Sequence, residues 1–498
     1  MGESVQLLPR ARAGPDEPHR IDVEAVNTKE ARALYKKRIP IYPKLVHGRW
    51  RTVKWVAMAI LLAIYYITPW IRWARGVGQP DQAVLVDFEH RRFYFFFIEL
   101  WPQEVYYITG LLILAAVGLF LATALFGRIW CGYACPQTVW TDLYIHVERW
   151  IEGDRSARIR LDKAPWTLSK AAKKLSKHAV WIAIAAATGG AWVFYFADAP
   201  SLFRGLFTGA ASPSAYLFVA LLTFTTYTLA GTMREQVCTY LCPWPRIQAA
   251  MTDKDALSVT YRVDRGEPRG PHKKGDSWEG RGDCIDCNQC VAACPQGIDI
   301  RNGDQLECIN CALCIDACDA IMARVGRPTG LIAYDTAANV QRRAHKERAF
   351  WRFVRPRTIL YAVVLTLVGV VMLAQLLNRQ TLNLDVVRDR SPPFVRLADG
   401  SIRNNYQLKI INMDPEPRTL SVSIAGVPGA RLSMFGREGE SERLTVNARA
   451  DEVTTVRVHV TAPAGAVEGP DEVTFSLTDP QSGAELAQSP AAFVGARP

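Results

Sequence analysis

Eight of the 12 cysteines crowd into one stretch, Cys284-x2-Cys287-x2-Cys290-x3-Cys294-Pro295 followed by Cys308-x2-Cys311-x2-Cys314-x3-Cys318. This is the bacterial spacing for two iron–sulfur cubes. Cysteines three residues apart on a tight turn aim three thiolates at three corners of a cube, and the other run supplies the fourth. By that rule Cys284, Cys287, Cys290 and Cys318 hold one 4Fe-4S cluster, and Cys308, Cys311, Cys314 and Cys294 hold the other. Asp319 stands where the second run would carry proline. Proline shapes the turn and not the ligand set, so both clusters are expected, and the charge beside Cys318 should shift the potential of its cluster. Structural zinc pairs its cysteine knuckles across a longer spacer. Disulfides do not suit a segment expected on the reducing side of a membrane. Nothing in the stretch reads as a substrate pocket, so its chemistry is a one-electron relay.

The other four cysteines form two pairs, Cys131-Gly-Tyr-Ala-Cys135-Pro136 and Cys238-Thr-Tyr-Leu-Cys242-Pro243, offset by 107 residues. Each pair follows an apolar run, so the unit reads as a repeat, and repeats in membrane proteins build sites at their interface. On a helix, cysteines four apart share a face. Two such faces meeting would present four thiolates at the membrane edge, where soft sulfur suits Cu(I), zinc or an iron–sulfur cluster. The plain alternative is four small buried residues at helix ends. A copper site, a further cluster and a redox dithiol all stay open. His146 past Cys135 reads as a surface histidine, while His90, Glu99 and Glu104 flank Phe93–Phe97, which reads as an interfacial segment on the bilayer with an outside metal contact as a lesser reading.

The elements that must position these residues follow from hydropathy and charge. The chain has 498 residues, 49% hydrophobic and 21% charged, with a formal net charge of +11. Apolar runs at Trp55–Ile71, Val105–Phe126, Ala179–Ala197, Ser214–Met233 and Thr358–Leu377 are each long enough to cross the hydrocarbon core, which excludes a soluble enzyme, a disordered chain and a small disulfide-stapled domain. The polar first 50 residues lack the apolar core of a signal peptide, so the N-terminus is expected to stay inside. Lysines and arginines crowd the 155–177 loop, the stretch after the fourth run and Lys36-Lys37-Arg38 through Lys54. The positive-inside rule then places the N-terminus and the cysteine block in the cytoplasm and the C-terminus outside. Lipid head groups account for the basic charge, and no nucleic-acid motif accompanies it. After Leu377, short alternating runs at Tyr406–Ile411, Thr419–Ile424, Glu442–Val446, Val453–Val460 and Glu472–Leu477 alternate with turn residues, the pattern of an antiparallel β-sandwich of about seven strands. The expected organisation is a cytoplasmic segment (1–54), four spans with both C-x3-C-P motifs (55–250), a two-cluster α+β ferredoxin domain (251–355), a fifth span (356–378) and the sandwich (379–498).

With these parts in order, the chain resembles the CcoG/FixG/RdxA family of cytochrome c oxidase accessory proteins. The resemblance rests on CGYACPQTVWTDLY, IEGD at Ile151–Asp154, CTYLCPW, the eight-cysteine block, the single span after it and the C-terminal domain, which the family makes Ig-like. The C-x3-C-P pairs are also similar to membrane iron–sulfur proteins of the NapH and NosR kind. The family resemblance implies a cupric reductase of the bacterial inner membrane, turning Cu(II) into Cu(I) for cbb3-type oxidase assembly. It would have a periplasmic C-terminal domain, a cytoplasmic electron donor, and oxidase subunits or periplasmic copper chaperones as partners. The residues offer no copper store: Met413 and Met434 stand alone in the sandwich. Two other functions fit the same parts, a quinol dehydrogenase feeding a periplasmic reductase and a structural assembly factor whose clusters sense redox state.

Overall fold

The computed structural model describes residues 20–27, 39–75, 79–273, 275–414, 416–437, 439–466 and 470–495. The basic 36–38 stretch expected to flank the first span lies outside them. The chain divides into two compact units, Met1–Met372 and Leu373–Pro498.

In the first unit α1 (Arg49–Ile67) leads into a sheet of β1 (Val84–Asp87), β2 (Arg92–Phe95) and β3 (Ile98–Leu100), ordered β1-β2-β3 and antiparallel. The segment read as lying on the bilayer is thus a folded meander: Phe93 and Phe95 sit in β2, paired with Val86 and Val84. Next come α2 (Tyr106–Phe126), α3 (Pro136–Glu152), α4 (Arg155–Lys163), α5 (Leu168–Val193), α6 (Ala199–Thr208), α7 (Pro213–Thr226, continued by a π-helical turn to Met233) and α8 (Trp244–Met251).

Among the described residues, four helical stretches are long and apolar enough to cross a membrane: Arg49–Trp70, Pro102–Phe126, Pro213–Met233 and Pro356–Leu377. The expected five-helix region is corrected to these four. The run Ala179–Ala197 belongs to α5, whose first half carries Lys170, Lys173, Lys174 and Lys177. Its apolar part, from Ala179 to Val193, is about 15 residues, short of the roughly 20 a span needs. Hydropathy alone missed this because the lysines find partners elsewhere. Lys174 and Lys177 reach Glu152 on α3 at 3.0 and 2.9 Å. At its other end α5 meets the sheet, where the Phe194 carbonyl accepts from Gln82 Nε2 at 2.7 Å and the Tyr195 carbonyl from the Val86 amide at 2.8 Å. So α5 carries the chain from the end of α3 back to β1–β3, packed on α7. A Cβ on Gly189 would sit 2.9 Å from the Val219 carbonyl oxygen.

The cysteine block sits on a two-stranded sheet, β4 (Ser258–Tyr261) antiparallel to β5 (Ile332–Asp335), with α9 (Val263–Gly266), α10 (Gln289–Ala293) and α11 (Leu313–Arg324) between them in sequence. Its core gathers Val259, Tyr261, Ile285, Val291, Ile315 and Met322 around cysteines from both runs. After α12 (Ala337–Ala344) comes α13 (Pro356–Leu377).

The second unit is a sandwich of nine strands among the described residues: β6 (Leu382–Arg388), β7 (Val395–Arg396), β8 (Ile402–Asn412), β9 (Arg418–Ala425), β10 (Arg431–Met434), β11 (Arg443–Ala448), β12 (Glu452–Ala462), β13 (Pro470–Thr478) and β14 (Glu485–Val494). One sheet runs β10-β12-β8-β6 with β7 beside β8, and the other β11-β9-β13-β14. Leu408, Ile410, Val458 and Val460 from one face Val422, Phe475 and Leu477 from the other in a single core. Strand alternation in the sequence marks β8, β9, β11, β12 and β13. It misses the short β7 and β10 and also β6 and β14, and of these β6, β10 and β14 lie at sheet edges, where an interrupted pattern and a proline (Pro490) are tolerated.

Candidate functional site

The two cysteine runs fold as copies offset by 24 residues. Asp286 and Asn288 in the first loop, and Asn310 and Ala312 in the second, all adopt positive φ between 51° and 60°. Alternating left- and right-handed residues turn successive peptide N–H groups inward as a nest for an anion. Here they point at sulfur. Cys287 accepts from the Gln289 amide, Cys308 from that of Asn310, and Cys294 from those of Gln296, Gly297 and Ile298. Most electrostatic contacts among the thiols fall within the expected groups, but Cys314 feels Cys290 as well as Cys311, Cys308 and Cys294. Cys318 feels Cys284, Cys287 and Cys290. Cys294 feels Cys311, and Cys308 feels Cys311 and Cys294. Cys290, Cys294, Cys308, Cys311 and Cys314 line one cavity whose other walls are apolar except for Gln296. Burial pushes the thiols up, Cys294 to about 11 and Cys308 to about 12. Such groups stay protonated near neutral pH unless a metal takes the proton's place. The donors, their nests and the dry cavity therefore fit 4Fe-4S groups.

The C-x3-C-P pairs fold as a second internal repeat. Gly127 (φ 59°, ψ −131°) ends the helix before the first, and Arg234 (φ 46°, ψ −112°) ends the stretch before the second. A π-helical turn follows each, Trp130–Ala134 and Val237–Leu241. Single π turns recur at functional sites. The Cys135 and Cys242 amides each close their turn at 2.8 Å, onto Trp130 and Val237. Both cysteines are extended, and each is followed by proline, Pro136 opening α3 and Pro243 preceding α8. The two turns meet. Burial pushes Cys131 and Cys238 up to about 12 each; Cys135 and Cys242 add to this at Cys131, and Cys135, Cys131 and Cys242 at Cys238. The four sulfurs thus share one locale. Among the described residues, no three His, Cys, Asp or Glu side chains stand close enough together to hold a single metal ion.

This quartet is welded to the second ferredoxin loop. Cys131 packs against Ile309, Cys311 and Leu313. A Cβ on Gly132 would fall 2.7 Å from the Ile309 carbonyl oxygen and 3.0 Å from that of Asn310. Tyr133 Oη donates to the Cys311 carbonyl at 3.3 Å. Arg128 donates to the carbonyls of Leu306, Cys308 (3.3 Å) and Pro245 (2.9 Å), tying the ferredoxin loop to the chain beyond Cys242. Cys131 Sγ donates to Oε1 of the fully buried Gln248 on α8 at 3.1 Å. The N-terminus of α1 is held the same way, with the Trp50 and Arg51 amides donating to the Asp316 carboxylate on α11 at 3.2 and 2.7 Å. A second, small cavity opens beside Cys238, lined by Glu235, Arg234, Asp142 and Gln296 among others.

Gly132, Arg128, Gln248 and Asp316 escape a sequence reading because each acts on a segment over 100 residues away. The matching 107-residue offsets of Arg234 and the π turns are the one signal that could have flagged them. The weaker candidates separate. His90 pairs with Asp87 (2.7 Å), Glu99 with Arg92 (2.8 Å), and Glu104 accepts from the Trp101 amide (3.1 Å). His146 is exposed, its ring 6.0 Å from that of Trp55.

A nest-lined pair of four-thiol groups, joined to apolar helices of spanning length, defines the class: a membrane iron–sulfur electron-transfer protein. Comparison with known proteins agrees. The 4Fe-4S dicluster domain family matches residues 233–337, a 4Fe-4S binding domain family matches 108–155, and the IG-like fold at the C-terminal of FixG matches 372–496. The nitrogen fixation protein FixG of Rhizobium meliloti (strain 1021) is 53% identical over 495 residues, covering 93% of this chain and 94% of that protein. Protein RdxA of Cereibacter sphaeroides is 50% identical over 476 residues, covering 93% and 99%. A FixG-related protein from Vibrio parahaemolyticus of solved structure is 20% identical over 23% of this chain and 96% of its own, with a TM-score of 0.19. The chain belongs to the FixG/RdxA family.

Proposed function

We propose that this protein is a cupric reductase of the bacterial inner membrane, supplying Cu(I) for assembly of a cbb3-type cytochrome c oxidase. A one-electron cytoplasmic donor of the reduced-ferredoxin class supplies the electron, and Cu(II) takes it up to become Cu(I), one for one. When bound, each 4Fe-4S group takes up and releases a single electron. Cys284, Cys287, Cys290 and Cys318 are the ligands of one, Cys308, Cys311, Cys314 and Cys294 of the other.

The observation that carries the reading is the seam at Gly132, which sets the membrane-edge thiols in direct contact with the second cysteine loop. Copper is reduced beside Cys131, Cys135, Cys238 and Cys242, where the cavity at Cys238 offers sulfur and the Glu235 carboxylate. Arg128 keeps a positive charge beside Cys131 and Cys308. The Lys- and Arg-rich stretch 253–357 around the cysteine block supports a cytoplasmic site for it. A periplasmic sandwich would meet oxidase subunits or copper chaperones.

The test is anaerobic reduction with dithionite followed by Cu(II), with cluster absorbance and a Cu(I) chelator read together. Reoxidation matched by Cu(I), lost in Cys131→Ser and Cys238→Ser while the ferredoxin signals persist, is expected. Variants that reduce copper like the parent would remove the thiols from the reaction. Reoxidation by a quinone and not by copper would replace the reading with a quinol dehydrogenase.

A further inference from the structure

We infer that Cys131, Cys135, Cys238 and Cys242 together hold one further iron–sulfur cluster, of the four-iron kind, shared between the two halves of the repeat. The inference goes beyond copper reduction and does not need copper to be the acceptor.

The 4Fe-4S binding domain family matches residues 108–155. That stretch contains two cysteines, Cys131 and Cys135. A four-iron cube takes four thiolates, so this half is incomplete alone. The missing pair must come from elsewhere in the fold. The thiols that press electrostatically on Cys131 and Cys238 are all members of the quartet.

The backbone makes the same point independently. Each pair is presented by a left-handed residue, a π turn closed at 2.8 Å, an extended second cysteine and a proline. Two equal arms supply four sulfurs, the number that the four iron corners of a cube take. Arg128 next to Cys131 supplies a cation of the kind a buried anionic group needs. The Gly132 seam then makes this site the neighbour of the second ferredoxin site.

The full-length protein, purified anaerobically in detergent, is analysed for iron, acid-labile sulfide, copper and zinc, and by EPR after dithionite reduction. The parent should carry about twelve irons per chain, and Cys131→Ser or Cys238→Ser about eight, with the ferredoxin signals retained. The double variant should lose no more than either single one, because the site is shared. The parent's own iron count decides even if the variants do not fold. A parent with about eight irons, or about ten, overturns the four-iron assignment. So does a copper or zinc ion lost on substitution at the quartet, or losses that add in the double variant. None of these readouts involves copper turnover, so a protein with twelve irons that fails to reduce Cu(II) would refute the reductase reading and leave this one standing.

Discussion

Replacing Gly132 by alanine should loosen the seam on which the proposed function rests. The added Cβ would lie 2.7 Å from the Ile309 carbonyl oxygen and 3.0 Å from that of Asn310. Both neighbours are backbone of the Cys308–Cys311 loop, so neither can swing aside as a side chain would. Reaching an ordinary contact of 3.4 Å requires the two segments to part by roughly 0.4 to 0.7 Å. Overpacking of this kind costs about 1–3 kcal/mol, or roughly five- to 150-fold in the population of the closed seam. The control is Gly118→Ala on α2, whose Cβ would meet only the Leu365 Cδ1 atom at 3.4 Å. Two readouts apply: the temperature at which cluster absorbance bleaches, and the rate of Cu(I) formation after dithionite reduction. Gly132→Ala should bleach a few degrees lower and form Cu(I) more slowly, while Gly118→Ala matches the parent in both. A Gly132→Ala protein identical to the parent in both readouts would refute the argument that this contact is tight and functional.

Cross-ligation has its own signature: Cys294→Ser should abolish the same EPR signal as Cys311→Ser, and Cys318→Ser the same one as Cys287→Ser, whereas the reverse pairing would dissolve the assignment. Asp142 on α3 accepts from the buried Arg51 at 2.8 Å, so Asp142→Asn should cost about 3–5 kcal/mol in urea unfolding, because it strands a buried cation. Burial alone would raise the Asp142 carboxyl, but Lys54 and Arg51 outweigh it and hold it below its ordinary value. The pair's stabilisation is therefore full at neutral pH and is lost only as pH falls below about 4; a loss already between pH 8 and 6 would contradict that. In the sandwich, Phe475 is fully buried, edge-on to Tyr406 at 5.0 Å, and Phe475→Ala should cost about 3–5 kcal/mol. Calorimetry of the full chain should show that loss, and an unchanged transition would deny Phe475 its place in the core.

Much of this was legible in one dimension because the chemistry is local. Cysteines at spacing three sit on one turn, and the turn alone sets three corners of a ligand set. The 107-residue offset between the C-x3-C-P pairs survives folding as two superposable turns. Strands β8, β9 and β11 to β13 alternate cleanly because each has one face in the core. Where a segment depends on distant partners, the local pattern misled. The run at Ala179–Ala197 has the hydropathy of a span, but it is the second half of a helix whose lysines are neutralised by Glu148 and Glu152 on α3. At Phe93–Phe97 the sequence shows the aromatic stretch, and only the fold shows the sheet that carries it, with Phe93 and Phe95 paired to Val86 and Val84.

Residue identity and spacing by themselves determined the two-cluster ferredoxin domain, the repeat and the class of chemistry, because thiolate geometry is written within a few residues. Tertiary structure alone decided that the four remaining cysteines lie within electrostatic reach of one another, that Gly132 must be small, and that Arg128, Gln248 and Asp316 fasten the cysteine block to the helices. Those roles depend on which atoms stand opposite once segments more than 100 residues apart are packed together, and no local pattern carries that information.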